Sequence, residues 1–273
     1  MLKASFGVSG ALALISTLAM SGTAWATSSS AYGVQAGFTF GKTQTGLGPI
    51  GDVSGGAPPS YSKTVSVGAF QQSAPVIKGK TGLPTLYVSG ASIKSHVTSI
   101  GTSAASASAA GDATVKGLTL SLELPGPKPD KEPINYPYLY VTATKLSVQT
   151  TLTQVSTQTP EANSTASIAG LVISGSLVDN QTITFTGDLP NDTILFQSDT
   201  VTITVNSRLT ASVISCRPKC VIFPVLVNGS ALDIQLTNAV LDGKTVSGDI
   251  AVAGATAGTG VLTPAVAKFA AGK

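Results

Sequence analysis

The sequence contains little of what most catalytic and nucleic-acid-binding sites require. Among its 273 residues there are one histidine, two cysteines and one tryptophan, and only 11% of the residues are charged. A single histidine excludes a zinc site built on an HExxH motif or on several imidazoles. The 16 basic and 13 acidic residues give a net charge of +3, and the lysines are scattered singly. Because phosphate binding needs clustered Lys and Arg, we expect no nucleic-acid partner.

The first 26 residues have the layout of a secretory signal peptide. Lys3 precedes a charge-free stretch around Ala11 to Met20, and Ala24 and Ala26 place small residues at a cleavage site. We therefore predict cleavage between Ala26 and Thr27. The protein would then be secreted, extracellular or held at the cell surface, with the periplasm as the alternative compartment. A permanent membrane anchor is the competing interpretation, which the small residues disfavour.

The two cysteines lie close together in "SCRPKCVIF", as Cys216 and Cys220. In an exported chain they are expected to form a disulfide, which would pin a turn between two strands. The closed loop is very short, so its entropic contribution to stability is modest. A functional redox pair is the alternative, but the segment has neither a CxxC motif nor a following histidine.

The rest of the chain alternates apolar and polar residues with a period of two. In "DTVTITVNS", Val201, Ile203 and Val205 share one face, and threonines share the other. In "ATVKGLTLSLEL", leucines alternate with polar residues in the same way. This pattern is typical of strands with one buried face. Strands at about ten-residue spacing predict an all-β fold, an antiparallel, Greek-key-like β-sandwich.

Two turn-forming dipeptides and one Ala-rich stretch give further local predictions. Asn228-Gly229 and Asp242-Gly243 are expected to form tight turns. The alternating Ala and Ser of "GTSAASASAAGDA", residues 101–113, is assigned to a strand rather than a helix.

A proline-rich segment divides the mature chain. "LPGPKPDKEPINYPY" carries five prolines between Pro125 and Pro137, so it cannot be a central strand. We predict a single β-rich domain over residues 27–273. Two halves, 27–124 and 138–273, joined by this segment are the alternative.

Several short segments resemble the choice-of-anchor P family of bacterial surface proteins. They are "SSSAYGV" (28–34), the Ser/Ala/Gly-rich stretch 86–122 ending in "ATVKGLTLSL", "STASIAGLVISGSLV" (164–178), "GDLPNDTI" (187–194) and "TVTITVNSRL" (200–209). The resemblance implies an exported, β-rich protein whose means of attachment varies, and it brings no catalytic residues. This chain lacks an LPxTG motif, a Pro-Glu-Pro segment and a cysteine at the predicted cleavage site.

The stretch from Ile250 to Ala267 also lacks charge and is long enough to test as a membrane span. It consists mostly of Ala, Gly, Thr and Val, with Pro264 inside it, and it has few of the residues that drive insertion. We expect no transmembrane span after signal cleavage.

Residues for catalysis are scarce. His96 shares its strand face with Lys94 and Thr98, and we assign it to a polar surface rather than to a catalytic triad. A glycosidase would need two facing carboxylates. The acids considered for such a pair are Glu123, Asp130, Glu132, Glu161, Asp188, Asp192 and Asp199. Three of these aspartates lie in "GDLPNDTILFQSD", where their spacing fits turn capping better than calcium binding.

The sequence therefore predicts a non-enzymatic protein without metal or cofactor, with a structural or adhesive role at the surface or in the extracellular matrix. Its expected partner is a surface polysaccharide or a protein, bound by exposed edge strands, Thr-rich faces or tyrosines. The tyrosines concerned, Tyr61, Tyr136, Tyr138 and Tyr140, are equally able to cover the core edge. A carbohydrate- or protein-binding module is the first alternative, and a secreted hydrolase is the second.

Overall fold

The computed structural model describes residues 26–57, 59–77, 83–103, 106–124, 137–155, 161–189, 192–216 and 220–260. Within these ranges the chain is almost entirely β-strand, with a short 3-10 helix at Ser176–Val178. In chain order the strands are β1 (Ala26–Phe40), β2 (Thr43–Ile50), β3 (Val53–Ala57), β4 (Tyr61–Val67), β5 (Phe70–Pro75), β6 (Thr85–Gly90), β7 (Ser92–Ser103), β8 (Ser106–Glu123), β9 (Leu139–Val155), β10 (Glu161–Ser174), β11 (Ile183–Leu189), β12 (Thr193–Gln197), β13 (Val201–Cys216), β14 (Cys220–Leu241) and β15 (Lys244–Gly260).

The strands form two antiparallel sheets that pack face to face, so the predicted β-sandwich is confirmed. Sheet A has the order β12-β13-β14-β15-β1-β2, and β3 also pairs with β1. Sheet B has the order β11-β10-β9-β8-β6-β5; β7 pairs with a second part of β8, and β4 pairs with β7. The first and last strands, β1 and β15, are neighbours at the centre of sheet A.

Each sheet contains strands from both sides of the proline-rich segment. Sheet B combines β4–β8 with β9–β11, and β8 pairs directly with β9 across the segment. Residues 125–136 lie outside the described part of the chain.

The core follows the alternation that the sequence shows. Val201, Ile203 and Val205 are buried, while Thr202 and Thr204 are half-buried on the opposite face. The largest fully buried side chains come from both sheets and are Phe38, Leu86, Ile93, Leu118, Leu120, Leu122, Leu139, Leu146, Leu152, Leu171, Ile173 and Ile203. Burial of this apolar surface is the main stabilising contribution to the fold.

Two glycines with positive φ mark the points where the buried side chains shift by one position along β8 and β10. Val115 and Leu118 are both buried although they are three residues apart, and Gly117 between them has a φ of +60°. Gly170, also at φ +60°, lies between the buried Ile168 and Leu171 in the same way. β9 makes the same change between the buried Leu146 and Ala143, so β8 and β9 keep their register there; at Gly170 the register with β9 is also kept, and it shifts toward β11, as in a β-bulge.

A seam of small and hydroxyl-bearing residues joins the sheets beside the large apolar core. Ser29 Oγ of β1 lies 2.8 Å from Ser99 Oγ of β7, and both side chains are buried. At Gly111 of β8 a Cβ atom would lie 2.7 Å from the Ser30 carbonyl oxygen and 3.0 Å from that of Thr256. The backbone of sheet A therefore comes so close to β8 that no side chain fits at this position.

The expected turn at Asn228-Gly229 is wrong, because both residues lie inside β14. Asn228 Oδ1 accepts a hydrogen bond of 2.7 Å from Thr256 Oγ1 of the neighbouring β15. A Cβ at Gly229 would overlap Ser164 Oγ and Thr150 of sheet B. The glycine thus allows close contact between the sheets rather than a change of direction.

Of two other local predictions, one is confirmed and one is confirmed in part. Asp242-Gly243 is the two-residue turn between β14 and β15, and both residues have positive φ, at +51° and +69°. The strand prediction for residues 101–113 is confirmed in part: the residues from Ser106 onwards belong to β8, but residues 101–103 belong to β7, so the stretch is not a single strand.

The predicted signal peptide and disulfide fall largely on parts of the chain that the structure does not describe. Residues 1–25 lie outside the described ranges, and β1 begins at Ala26, which pairs with Gly260. The side chains of Cys216 and Cys220 also lie outside them, but their backbones are directly opposite each other at the start of the β13–β14 hairpin. Opposite residues in antiparallel strands have Cα atoms about 4.5–5.5 Å apart, a separation that a disulfide can span. The disulfide stays a prediction.

Among the described residues, no helix has the length and apolar character needed to cross a membrane.

Substitution of Gly111 tests the close approach of the sheets. We expect Gly111→Ala to lower the free energy of unfolding by about 1–3 kcal/mol, because the new methyl group presses on two backbone carbonyls. Gly68→Ala is the matched control. A Cβ atom at this position has nothing within 4 Å, so the substitution should change stability by less than about 0.5 kcal/mol. Urea unfolding of both variants measures the difference, and equal stabilities would contradict the proposed packing.

Candidate functional site

The outer side of sheet B carries an ordered array of polar side chains, which we call the polar face. It comprises three positions on each of five adjacent strands: Ser62, Thr64 and Ser66 of β4; Lys94, His96 and Thr98 of β7; Ala110, Asp112 and Thr114 of β8; Ser147, Gln149 and Thr151 of β9; and Asn163, Thr165 and Ser167 of β10. All of them are half-buried or exposed, whereas their neighbours along each strand point mostly toward the core.

Strand register aligns these side chains in rows across the sheet. The central row runs Thr64, His96, Asp112, Gln149, Thr165, and each member is directly opposite the next. Neighbouring strands are about 4.8 Å apart, so hydroxyl and amide groups recur at that interval. Such groups both donate and accept hydrogen bonds, which makes the face suited to a polar, weakly charged partner.

Two tyrosines extend the outer side of sheet B beyond the polar face. Tyr87 of β6 lies opposite Ser121 of β8, and Ser121 lies opposite Tyr140 of β9. Ser121 is only 8% exposed although it is on the outer side, which indicates that the neighbouring side chains cover it. Tyr140 is 38% exposed. Tyr87, Ser121 and Tyr140, which we call the tyrosine row, therefore present two aromatic rings two strands apart on the same side of the sheet as the polar face.

The other tyrosines that the sequence singled out have different positions. Tyr61 and Tyr138 are partly buried and pack against the core, as expected if these tyrosines cover the core edge rather than bind a partner. Burial raises the pKa of the Tyr138 hydroxyl above its usual value. Tyr136 lies outside the described residues.

His96 is held between two side chains of the polar face. Its Nδ1 lies 2.9 Å from Asp112 Oδ2, and its Nε2 lies 3.3 Å from Ser62 Oγ. The expected polar location of His96 is confirmed, since its side chain is 33% exposed and Asp112 is 39% exposed. Sequence reasoning missed both partners, because the contacts depend on the pairing of β4, β7 and β8 rather than on spacing along the chain.

A pair of carboxylates occupies the outer side of sheet A. Asp233 of β14 is opposite Ala251, and Asp249 of β15 is opposite Gln235, so the two acids are diagonal neighbours. Burial raises the pKa of Asp233 to about 6; the hydrogen bond from Gln235 lowers it, and the charge of Asp249 raises it. Burial also raises the pKa of Asp249.

Tyr32 of β1 completes this acidic cluster. Burial raises the pKa of its hydroxyl to about 12, with smaller contributions from the charges of Asp233 and Asp249. Its ring occupies the space above Gly254, where a Cβ atom would overlap the ring. Tyr32 and the two acids thus shield one another from water.

None of the acids considered from the sequence is a member of this pair. Asp188 lies on β11, and Asp192 directly precedes β12. Asp192 Oδ1 accepts a hydrogen bond of 2.7 Å from the Arg208 amide. Asp130 and Glu132 lie outside the described residues. Asp233 and Asp249 are 16 positions apart in sequence and meet through the β14–β15 hairpin. The described residues contain no group of three or more His, Cys, Asp or Glu that could hold a metal ion.

Comparison of the chain with protein-family models finds no match, and comparison with curated proteins finds no similar sequence. The resemblance to the choice-of-anchor P family therefore stays a prediction.

The raised pKa of Asp233 makes stability depend on pH. Its pKa is about 6 in the folded chain against 3.8 for the free group, so its protonated form favours folding. This contribution is complete below about pH 4 and is lost as the pH rises through about 6. We expect the free energy of unfolding to fall by about 1–2 kcal/mol over this interval, less than the full shift implies because the carboxyl is partly open to solvent.

Urea unfolding of the wild type and of Asp233→Asn at pH 4, 5, 6 and 7 measures this effect. The variant should lose much of the decrease, while Asp52→Asn, an exposed control away from the cluster, should retain it. Identical pH profiles for wild type and Asp233→Asn would show that Asp233 is not responsible.

Proposed function

We propose that the protein is an exported structural or adhesive component of the cell surface or extracellular matrix, and that it attaches to a surface polysaccharide through the outer side of sheet B. The observation that carries this proposal is the combination of the polar face with the tyrosine row on one continuous side of one sheet. The resemblance to exported surface proteins and the predicted signal peptide agree with it.

The chemistry of this surface fits a polysaccharide better than a charged polymer. Sugar hydroxyls donate and accept hydrogen bonds, as do the Ser, Thr, Asn and Gln side chains of the polar face. Sugar rings also have apolar C–H faces, which pack on aromatic rings such as that of Tyr140. Neighbouring strands are about 4.8 Å apart, which is close to the length of one sugar unit in an extended chain, so successive units can meet successive strands. Lys94 and Asp112 carry opposite charges on the polar face, and the exposed Lys116 and Lys145, directly opposite each other on β8 and β9, lie between it and the tyrosine row.

A protein partner is the second candidate, and a separate feature favours it. Ile194 is 53% exposed on β12, which lies at the end of sheet A and, among the described strands, pairs with β13 alone. A free strand edge with an exposed apolar side chain can accept a further strand from another protein.

Binding of two matched variants separates these candidates. The probe is the polysaccharide extracted from the surface of the native host, immobilised, with soluble fragments of it as competitor. We expect Tyr140→Ala to weaken binding about tenfold, the loss that one aromatic contact of about 1.4 kcal/mol would give. Ile194→Ala removes a comparable exposed apolar side chain from sheet A and should bind like the wild type. Unchanged binding by Tyr140→Ala would contradict the proposed site, and a loss with Ile194→Ala would favour the edge strand.

Export and the disulfide are tested together on the protein from its native host. Cell fractionation should place the protein on the surface or in the medium, with Thr27 as its first residue by mass spectrometry. Alkylation should modify Cys216 and Cys220 only after reduction. Recovery of the protein in the cytoplasm with Met1 in place, or two thiols that react without reduction, would contradict this part of the proposal.

A further inference from the structure

Ser62, His96 and Asp112 form a hydrogen-bonded chain across three strands of sheet B. Asp112 of β8 is directly opposite His96 of β7, and Ser62 of β4 is diagonal to His96. The distances are 2.9 Å from Asp112 Oδ2 to His96 Nδ1 and 3.3 Å from His96 Nε2 to Ser62 Oγ. The second distance is slightly longer than an ideal hydrogen bond, as is common for a nucleophile and its base without bound substrate.

The partners assign a role to each ring nitrogen. An ionised carboxylate can only accept, so the neutral imidazole carries its proton on Nδ1 and donates it to Asp112. Nε2 is then free to accept the proton of the Ser62 hydroxyl. A surface His–Asp pair alone would be an ordinary ion pair of little consequence. The serine on the opposite nitrogen turns the pair into the arrangement of nucleophile, base and orienting carboxylate that defines a catalytic triad by geometry.

Ser62 is also accessible. Its side chain is exposed on the outer side of β4, so its hydroxyl is reached directly from solvent. Thr98 lies directly opposite Ser62, and Thr64 lies opposite His96, on the same side of the sheet. Their hydroxyl groups are the nearest side-chain donors in the register for a negatively charged oxygen formed beside Ser62.

We propose that Ser62 is a nucleophile activated by His96, whose ring is positioned by Asp112. This centre reacts with small, unhindered carboxylic esters. Ser62 Oγ bonds to the ester carbonyl carbon while its proton passes to His96 Nε2. The bond from that carbon to the alcohol oxygen then breaks, and His96 gives the proton to the departing alcohol. Water, losing a proton to His96, attacks the acyl-serine; the carboxylic acid leaves, and Ser62 recovers its proton.

The position on one side of a sheet sets the expected rate. The oxyanion is stabilised by hydroxyl groups that rotate, rather than by fixed backbone amides, so turnover is slow. Covalent modification of Ser62 is therefore a sharper readout than product formation. A fluorophosphonate probe reports it directly, because it bonds irreversibly to activated serines.

The test uses the full chain, incubated with the fluorophosphonate probe and digested for mass spectrometry. We expect one labelled site, at Ser62, and at least a tenfold lower labelling rate in His96→Gln and in Asp112→Asn. Ser66 is the internal control, since it is exposed on the same strand but lies opposite Lys94. Ser66→Ala should label at the wild-type rate. Circular dichroism and thermal unfolding of each variant establish that it is folded.

Two results would overturn the proposal: Ser62 labelled no faster than Ser66, or Ser62 labelled at the same rate after His96→Gln. The inference is independent of polysaccharide attachment, because labelling of Ser62 and binding of the polysaccharide are measured separately on the wild-type protein. If Ser62 is not labelled but the polysaccharide still binds, only the reactive serine is rejected. If Ser62 is labelled but the polysaccharide does not bind, only the attachment is rejected.

Discussion

The pairing register of β7, β8 and β9 is the constraint on which the rest of sheet B depends. Each pair of opposite residues in these strands places apolar or small side chains inward and polar side chains outward, as with Val97, Gly111 and Thr150 on the inner side. A slip of one residue would expose the leucines of β8 and bury Asp112 without a partner. The same register aligns the polar face and brings His96 between Asp112 and Ser62. The surface chemistry is therefore a consequence of how the core is packed.

Small residues make the second contribution by letting the sheets approach. Gly111 and Gly229 leave room for backbone and hydroxyl groups of the opposite sheet, and Ser29 meets Ser99 where larger side chains would not fit. A sequence rich in Gly, Ala, Ser and Thr thus produces a sandwich with a thick apolar part and a thin, hydroxyl-lined part. The polar outer surfaces need few charges, which agrees with a low charged fraction of 11%.

The sequence alone predicted the class of fold, because alternation over long strands is a strong and local signal. It placed His96 on a polar surface for the same reason. It failed at Asn228-Gly229, since a dipeptide that favours turns also suits a strand where another sheet comes close. It did not predict the change of buried positions at Gly117 and Gly170, whose glycines look like ordinary breakers. The pair Asp233 and Asp249 and the partners of His96 are set by pairing between strands, which no spacing in the sequence reveals.

The claim that the outer side of sheet B is the attachment surface is tested most directly by mapping backbone amide chemical shifts. Isotope-labelled protein would be titrated with soluble fragments of the host's surface polysaccharide. The account predicts that shifts concentrate on residues of β4 and of β6 to β10, with Tyr140 and the row from Thr64 to Thr165 most affected. Shifts confined to sheet A, or no shifts at saturating fragment, would contradict it.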